Sequence, residues 1–116
     1  MRHLIIDTKV SLIEYIPRLI QASEKIGEYL QAGEQYRGMK LLPDLFEGIQ
    51  WVTNAIKGIE KNHISLDLNT EDINKYLIEI EQTLKNQDFV LLADLLEYEI
   101  SPILESWLNK IESFEV

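Results

Sequence analysis

The side chains with metal-binding chemistry are few. The chain has two histidines, His3 and His63, and no cysteine. Glu60 and His63 stand at the Glu-x-x-His spacing that di-iron carboxylate bundles use. Such a site takes two of these pairs and two further inward glutamates, and the chain has no second pair. Without thiols there is no disulfide, no thiolate zinc site and no cysteine nucleophile. No serine stands in a nucleophile-elbow pattern. The five glycines are scattered and make no phosphate-cradling loop. Asp67, Asn69 and Glu71 alternate like the start of a calcium loop, but the glycine and terminal glutamate do not follow in place. The expectation is a chain with no catalytic residue, no metal site and no cofactor, and therefore not an enzyme.

Two groups of residues remain as candidates. The first is polar: Asp94, Glu97, Tyr98 and Glu99. Placed at ~100° steps around a helix, Asp94 and Glu97 point outward, whereas Glu99 falls between Leu92 and Leu95 at the edge of the apolar face. A buried carboxylate is costly unless paired or hydrogen-bonded. Arg18, the Tyr15 hydroxyl or a lysine from another helix would supply that partner and fix the helix register. The alternative is a polar pocket among helices, with Glu99 and Tyr98 at a small-ligand or enzymatic site. The second group is aromatic: Phe46, Trp51 and Trp107. Trp107 lies within an apolar stripe and reads as core. Phe46 and Trp51 lie on opposite flanks of another stripe. Trp51 reads either as core or, being far from the stripe centre, as an exposed anchor of the kind found at interfaces.

The 116 residues suit one domain, 1–116, and can bury roughly 65% of the unfolded surface. Twenty acids against eleven bases give a formal charge of -9. That balance argues against nucleic acid, whose phosphates are met by clustered Lys and Arg. It argues equally against an anionic membrane surface. At 46% hydrophobic residues the chain is too apolar for a disordered acidic tail. The apolar run Leu4–Ile6 is too short for a signal-peptide core, and the run from Phe89 to Leu96 is interrupted by Asp94 and far short of a membrane span. A soluble, cytoplasmic protein is expected.

Four helical stretches must position these residues. From about Thr8 to Ala32, Leu12, Ile16, Leu19, Ser23, Ile26 and Leu30 share one stripe, with Asp7 as N-cap and Gly33 past the C-terminus. Ser23 and Gly27 would let a neighbouring helix approach closely. From about Glu34 to Lys61, Leu41, Leu45, Ile49, Val52, Ile56 and Ile59 form a face wide enough to touch two or three neighbours. The link Asn62–Asn69 carries Ile64, Leu66 and Leu68, which it can pin under itself. Asn69 or Thr70 caps a third, shorter helix whose stripe is Ile73, Tyr76, Leu77, Ile80 and Leu84. Asn86, Gln87 and Asp88 break the pattern, and Asp88 caps a last helix from Phe89 to about Ser113. Its face is Leu92, Leu96, Ile100, Ile103, Trp107 and Ile111, with Leu95 and Leu104 at the edges. The predicted fold is all-α: a four-helix up-down-up-down bundle with proline-kinked long helices.

Pro17, Pro43 and Pro102 each fall inside a helical pattern, where a proline removes one hydrogen bond and crowds the carbonyl four residues earlier. The stripes stay in phase across Pro17 and Pro102, which points to kinks. At Pro43 a kink and a break are both compatible with the pattern. Ile16-Pro17-Arg18-Leu19-Ile20 also matches Leu42-Pro43-Asp44-Leu45-Phe46 in pattern. A helix-hairpin duplication or convergent bundle patterning would each give such a match.

The stretch from Asn86 to Trp107, with Asp88, Asp94, Glu97, Tyr98, Glu99, Pro102 and Trp107, resembles the C-terminal signature of small helical proteins of Gram-positive bacteria. That resemblance carries no activity with it. In size, acidity and bundle shape the chain is also similar to flagellar export chaperones, which wrap a partner's terminal helix; this likeness is one of shape. Together these observations predict a non-enzymatic helical interaction protein, an adaptor or chaperone-like domain that binds a partner helix or itself. The apolar positions near Phe46 and Trp51 would carry the contact.

Overall fold

The computed structural model describes residues 2–115. It is an all-α, four-helix bundle with no strand among the described residues. Helix α1 (Arg2–Gln31) is the central element, and its 30 residues at ~1.5 Å each account for the 46 Å length of the molecule. Helix α2 (Gln35–Glu60) returns along one side of it. The fourth helix returns along another side in three pieces: α4 (Phe89–Leu95), a π-turn (Leu96–Ile100) and α5 (Ser101–Ser113). Helix α3 (Asn74–Lys85), entered through the 3-10 turn Thr70–Ile73, packs mainly on α4.

The stripe of α1 is buried as its spacing predicts, from Leu12 through Leu30. Its start is earlier than expected. Asp7 is inside the helix and caps nothing, because Ile5 extends the buried stripe by two turns and holds the N-terminal segment helical. The C-terminus is closed by Gly33 at φ 78°, with Gly33 N–H donating to Leu30 O and Glu34 N–H to Tyr29 O. That pair of bonds satisfies two carbonyls the helix leaves open, and glycine adopts the required conformation without steric cost. The turn between α3 and α4 is built the same way, with Gln87 at φ 53° where a glycine would be easier. Asp88 then caps α4 by accepting from Leu91 N–H at 3.1 Å, and Asn69 caps the 3-10 turn by accepting from Glu71 N–H at 3.0 Å.

Both prolines of the first two helices are carried without interruption, so Pro43 does not break α2. Around it the buried position is Leu42 rather than Leu41, which is exposed. Pro102 has a larger consequence. It has no N–H for the carbonyl of Tyr98 and its ring crowds that oxygen. The helix widens immediately before it, and Ser101 N–H bonds back five residues to Leu96 O. The extra residue shifts the phase downstream. Leu104 is therefore fully buried and Ile103 only half-buried, the reverse of what regular spacing predicts. Ser23 Oγ also donates to Leu96 O, at 2.9 Å, tying α1 to the widened turn. Gly27 lies beside it against Ala93, so the two small residues do bring these helices together.

The link between α2 and α3 buries Leu66 and half-buries Ile64 and Leu68, as anticipated. His63 and Asp67 reverse the chain at φ 63° and 54°. Asp67 also accepts from Lys110 Nζ at 2.9 Å, an exposed pair that adds little to stability.

Candidate functional site

On the two antiparallel helices α1 and α2, two polar sets face one another. Ser11, Glu14, Tyr15 and Arg18 project from α1, and Asp44, Glu47, Gly48 and Trp51 from α2. Each set has the spacing i, i+3, i+4, i+7, so each forms one continuous strip on its helix. Together they line an open groove of about 670 Å³.

Gly48 sets the depth of this groove. A Cβ there would collide with Leu19 Cδ2 and stand 2.6 Å from Tyr15 Oη. Because it is missing, the Tyr15 side chain lies across α2 and meets Trp51 edge to face, with centroids 5.3 Å apart and planes at 81°. This is a favoured aromatic geometry. Trp51 stays 45% exposed in that arrangement, whereas Trp107 is 3% exposed inside the core. The charged residues of the rim are all exposed, and among the described residues Glu14, Arg18, Asp44 and Glu47 make no ion pair within 4 Å.

Phe46 lies on the other flank of α2, half-buried in a second, smaller groove of about 290 Å³ with Gln50, Leu77, Ile80, Glu81 and Leu84. The wide face of α2 thus serves α1 on the Trp51 flank and α3 on the Phe46 flank. The two aromatics do not form one surface.

The expected polar cluster is not assembled. Tyr15 and Arg18 face α2, while the part of α1 that meets the fourth helix presents Ser23 to Leu96 and Gln31 to Glu97. Neither Arg18 nor Tyr15 reaches Glu99. Glu99 is half-buried at the π-turn and forms no hydrogen bond or ion pair among the described residues, and Tyr98 is 65% exposed. Neither groove includes them. Glu60 ends α2 and His63 sits in the following turn, off the helix face that a Glu-x-x-His site needs. Among the described residues no three His, Cys, Asp or Glu side chains are arranged to hold a metal ion.

Sequence spacing missed Ser11, Glu14, Asp44, Glu47 and Gly48. The paired i, i+3, i+4, i+7 strips were the available signal. The matching Pro17-Arg18 and Pro43-Asp44 steps each deliver one charged residue to the groove.

A family model, domain of unknown function DUF8042, matches residues 7–110. The chain belongs to the DUF8042 family. The matched region contains both strips of the groove, the π-turn and Pro102. Comparison of this DUF8042 chain with curated proteins and with solved structures gives no significant match. No helix among the described residues is long and apolar enough to cross a membrane.

Proposed function

We propose that this DUF8042 domain is a non-enzymatic interaction module that docks a protein partner in the α1–α2 groove, with Trp51 as the anchor. One observation carries the reading: a tryptophan held in fixed aromatic geometry with Tyr15 yet left 45% exposed. Aromatic side chains and Arg dominate the energetic centres of protein interfaces. Here Trp51, Tyr15 and Arg18 share one groove. The reading keeps the adaptor or chaperone-like role suggested by likeness in shape to flagellar export chaperones. It also keeps a cytoplasmic setting in a Gram-positive cell, as the resemblance of residues 86–107 implies.

The test is affinity capture from the native host with the full chain and with Trp51→Ala. A stoichiometric partner is expected with the first and not with the second, which stays folded at the temperature of the capture. Recovery of no stoichiometric partner by either would contradict the reading.

A second reading, self-association, is favoured by the outer side of α1. Ile6 and Val10 are 40% and 49% exposed there, in line with the half-buried Ile13, Pro17 and Ile20 at alternating steps of four and three residues. That spacing is the seam of a coiled coil. Light scattering at micromolar concentration decides it, because a monomer eliminates the homodimer.

A further inference from the structure

Charge and aromatic pairing together say more about the partner of this groove. Three ion pairs form on the surface among the described residues: Arg37 with Glu34, Lys85 with Glu81 and Lys110 with Asp67. Several rings also carry a cation of the chain. Lys9 lies over Phe114, Lys25 and Arg37 over Tyr29, Lys40 over Tyr36, and Lys75 over Tyr76, all within 5.6 Å of the ring centroid. The residues that line the α1–α2 groove take part in none of these contacts. Three carboxylates, Glu14, Asp44 and Glu47, share it with one cation, Arg18, and none of the four is ion-paired. Trp51, the side chain whose ring attracts cations most strongly, carries none of its own.

We infer that the groove takes a basic segment of a partner protein, with Lys or Arg heads against Glu14, Asp44 and Glu47 and one side chain packed on the Trp51 face. This rests on the docking reading above and names the partner's chemistry. The formal charge of -9 steers such a segment toward the chain and raises its association rate. The same charge opposes the other occupants. A second copy would set carboxylates against carboxylates, and nucleic acid would be repelled. A small organic cation is disfavoured by shape, because small-ligand sites enclose most of the ligand, and here every charged lining residue is exposed. Arg18 acts within the groove as the repulsive element. It penalises a cation at its own position and so sets the register of a basic segment, the kind of mismatch that specificity requires.

The test is calorimetric titration of the full chain with a synthetic Lys/Leu amphipathic peptide, its Glu/Leu counterpart and spermidine. The Lys/Leu peptide is expected to bind and the Glu/Leu peptide not to bind. Replacing the three groove acids together (Glu14→Gln, Asp44→Asn, Glu47→Gln) should weaken binding by about tenfold or more, the scale of losing a few charge contacts. Arg18→Gln should tighten it. An exposed control triple away from both grooves (Glu24→Gln, Glu79→Gln, Glu105→Gln) removes the same net charge and should change affinity less than about twofold, since screening confines such effects to nearby charges. Equal losses from the two triples would overturn the inference in favour of diffuse attraction. Spermidine binding as tightly as the peptide, or binding of the Glu/Leu peptide, would overturn it as well. All variants are compared only at matched melting temperatures. The two proposals separate cleanly: a captured partner lost with Trp51→Ala but kept by the groove triple leaves docking standing and removes the basic segment.

Discussion

Helix α1 is packed on two sides, and the two sides differ in how they use polar groups. Against the fourth helix, three hydrogen bonds cross the seam. Ser23 Oγ donates to Leu96 O at 2.9 Å, Lys9 Nζ to Phe114 O at 2.7 Å, and Gln31 Nε2 to Glu97 at 3.1 Å. Against α2, Gly48 lets the helices close at one level while the rim opens into a groove whose charges have no ion-pair partner. Polar groups matched across a helix pair fix its register. Charged groups gathered without ion pairs in one concavity, beside a half-exposed tryptophan, are available to something else. The assignment of function to the α2 side follows from that difference.

The largest effects should separate the two tryptophans. Trp107→Ala empties a core position and should cost about 3–5 kcal/mol, as buried aromatic truncations do. Trp51→Ala, already 45% exposed, should cost about 1 kcal/mol, mostly from its contact with Tyr15. Urea denaturation of both measures it, and comparable losses would mean that Trp51 is a structural residue.

Next come the glycines. Gly48→Val must displace Leu19 and Tyr15 and should cost about 2–3 kcal/mol by overpacking. At Gly27 an added Cβ meets Ala93 O at an ordinary 3.7 Å, so Gly27→Ala should raise stability by up to about 1 kcal/mol through helix propensity. Thermal melts distinguish the signs. A destabilising Gly27→Ala would show that the fourth-helix seam is the tighter of the two.

The two buried serines differ in whether their hydroxyl is matched. Ser23→Ala removes the bond to Leu96 O and should cost about 1–2 kcal/mol. Ser101 Oγ is buried without a hydrogen-bond partner, so Ser101→Ala should be neutral or slightly stabilising. Equal losses in denaturant titrations would mean that both hydroxyls tie the helices. The smallest effect is expected at the α3–α4 turn, where Gln87→Gly should add about 0.5–1 kcal/mol by relieving a left-handed backbone, read from the melting temperature.

Much of this architecture is legible in the sequence because burial follows helical period wherever the helix is regular. The stripe of α1 from Leu12 to Leu30, the caps at Asn69 and Asp88 and the closing Gly33 all follow from local rules. Misreadings gather where a proline changes the local geometry: Leu41 for Leu42 beside Pro43, and Ile103 for Leu104 after the π-turn that accommodates Pro102. The start of α1 was misplaced because Asp7 looks like a cap, whereas the tertiary burial of Ile5 decides. The flank of Trp51 follows from its angle on α2, but the groove does not. Its shape depends on the register between two helices and on a missing Cβ at Gly48, and neither is a property of one segment. The pairing of Glu99 with Arg18 or Tyr15 failed for the same reason. The period places a side chain around its own helix and leaves open which neighbour lies there.

The Trp51 groove is the proposed docking surface. Its most direct measurement is the pair of indole N–H resonances, those of Trp51 and Trp107, followed by NMR as the Lys/Leu peptide is added to the full chain. With docking in the groove, the Trp51 signal moves together with the Tyr15 ring and the buried Trp107 signal stays in place. An unmoved Trp51 signal, with shifts instead at Leu77 and Leu84 of the α2–α3 groove, would contradict it.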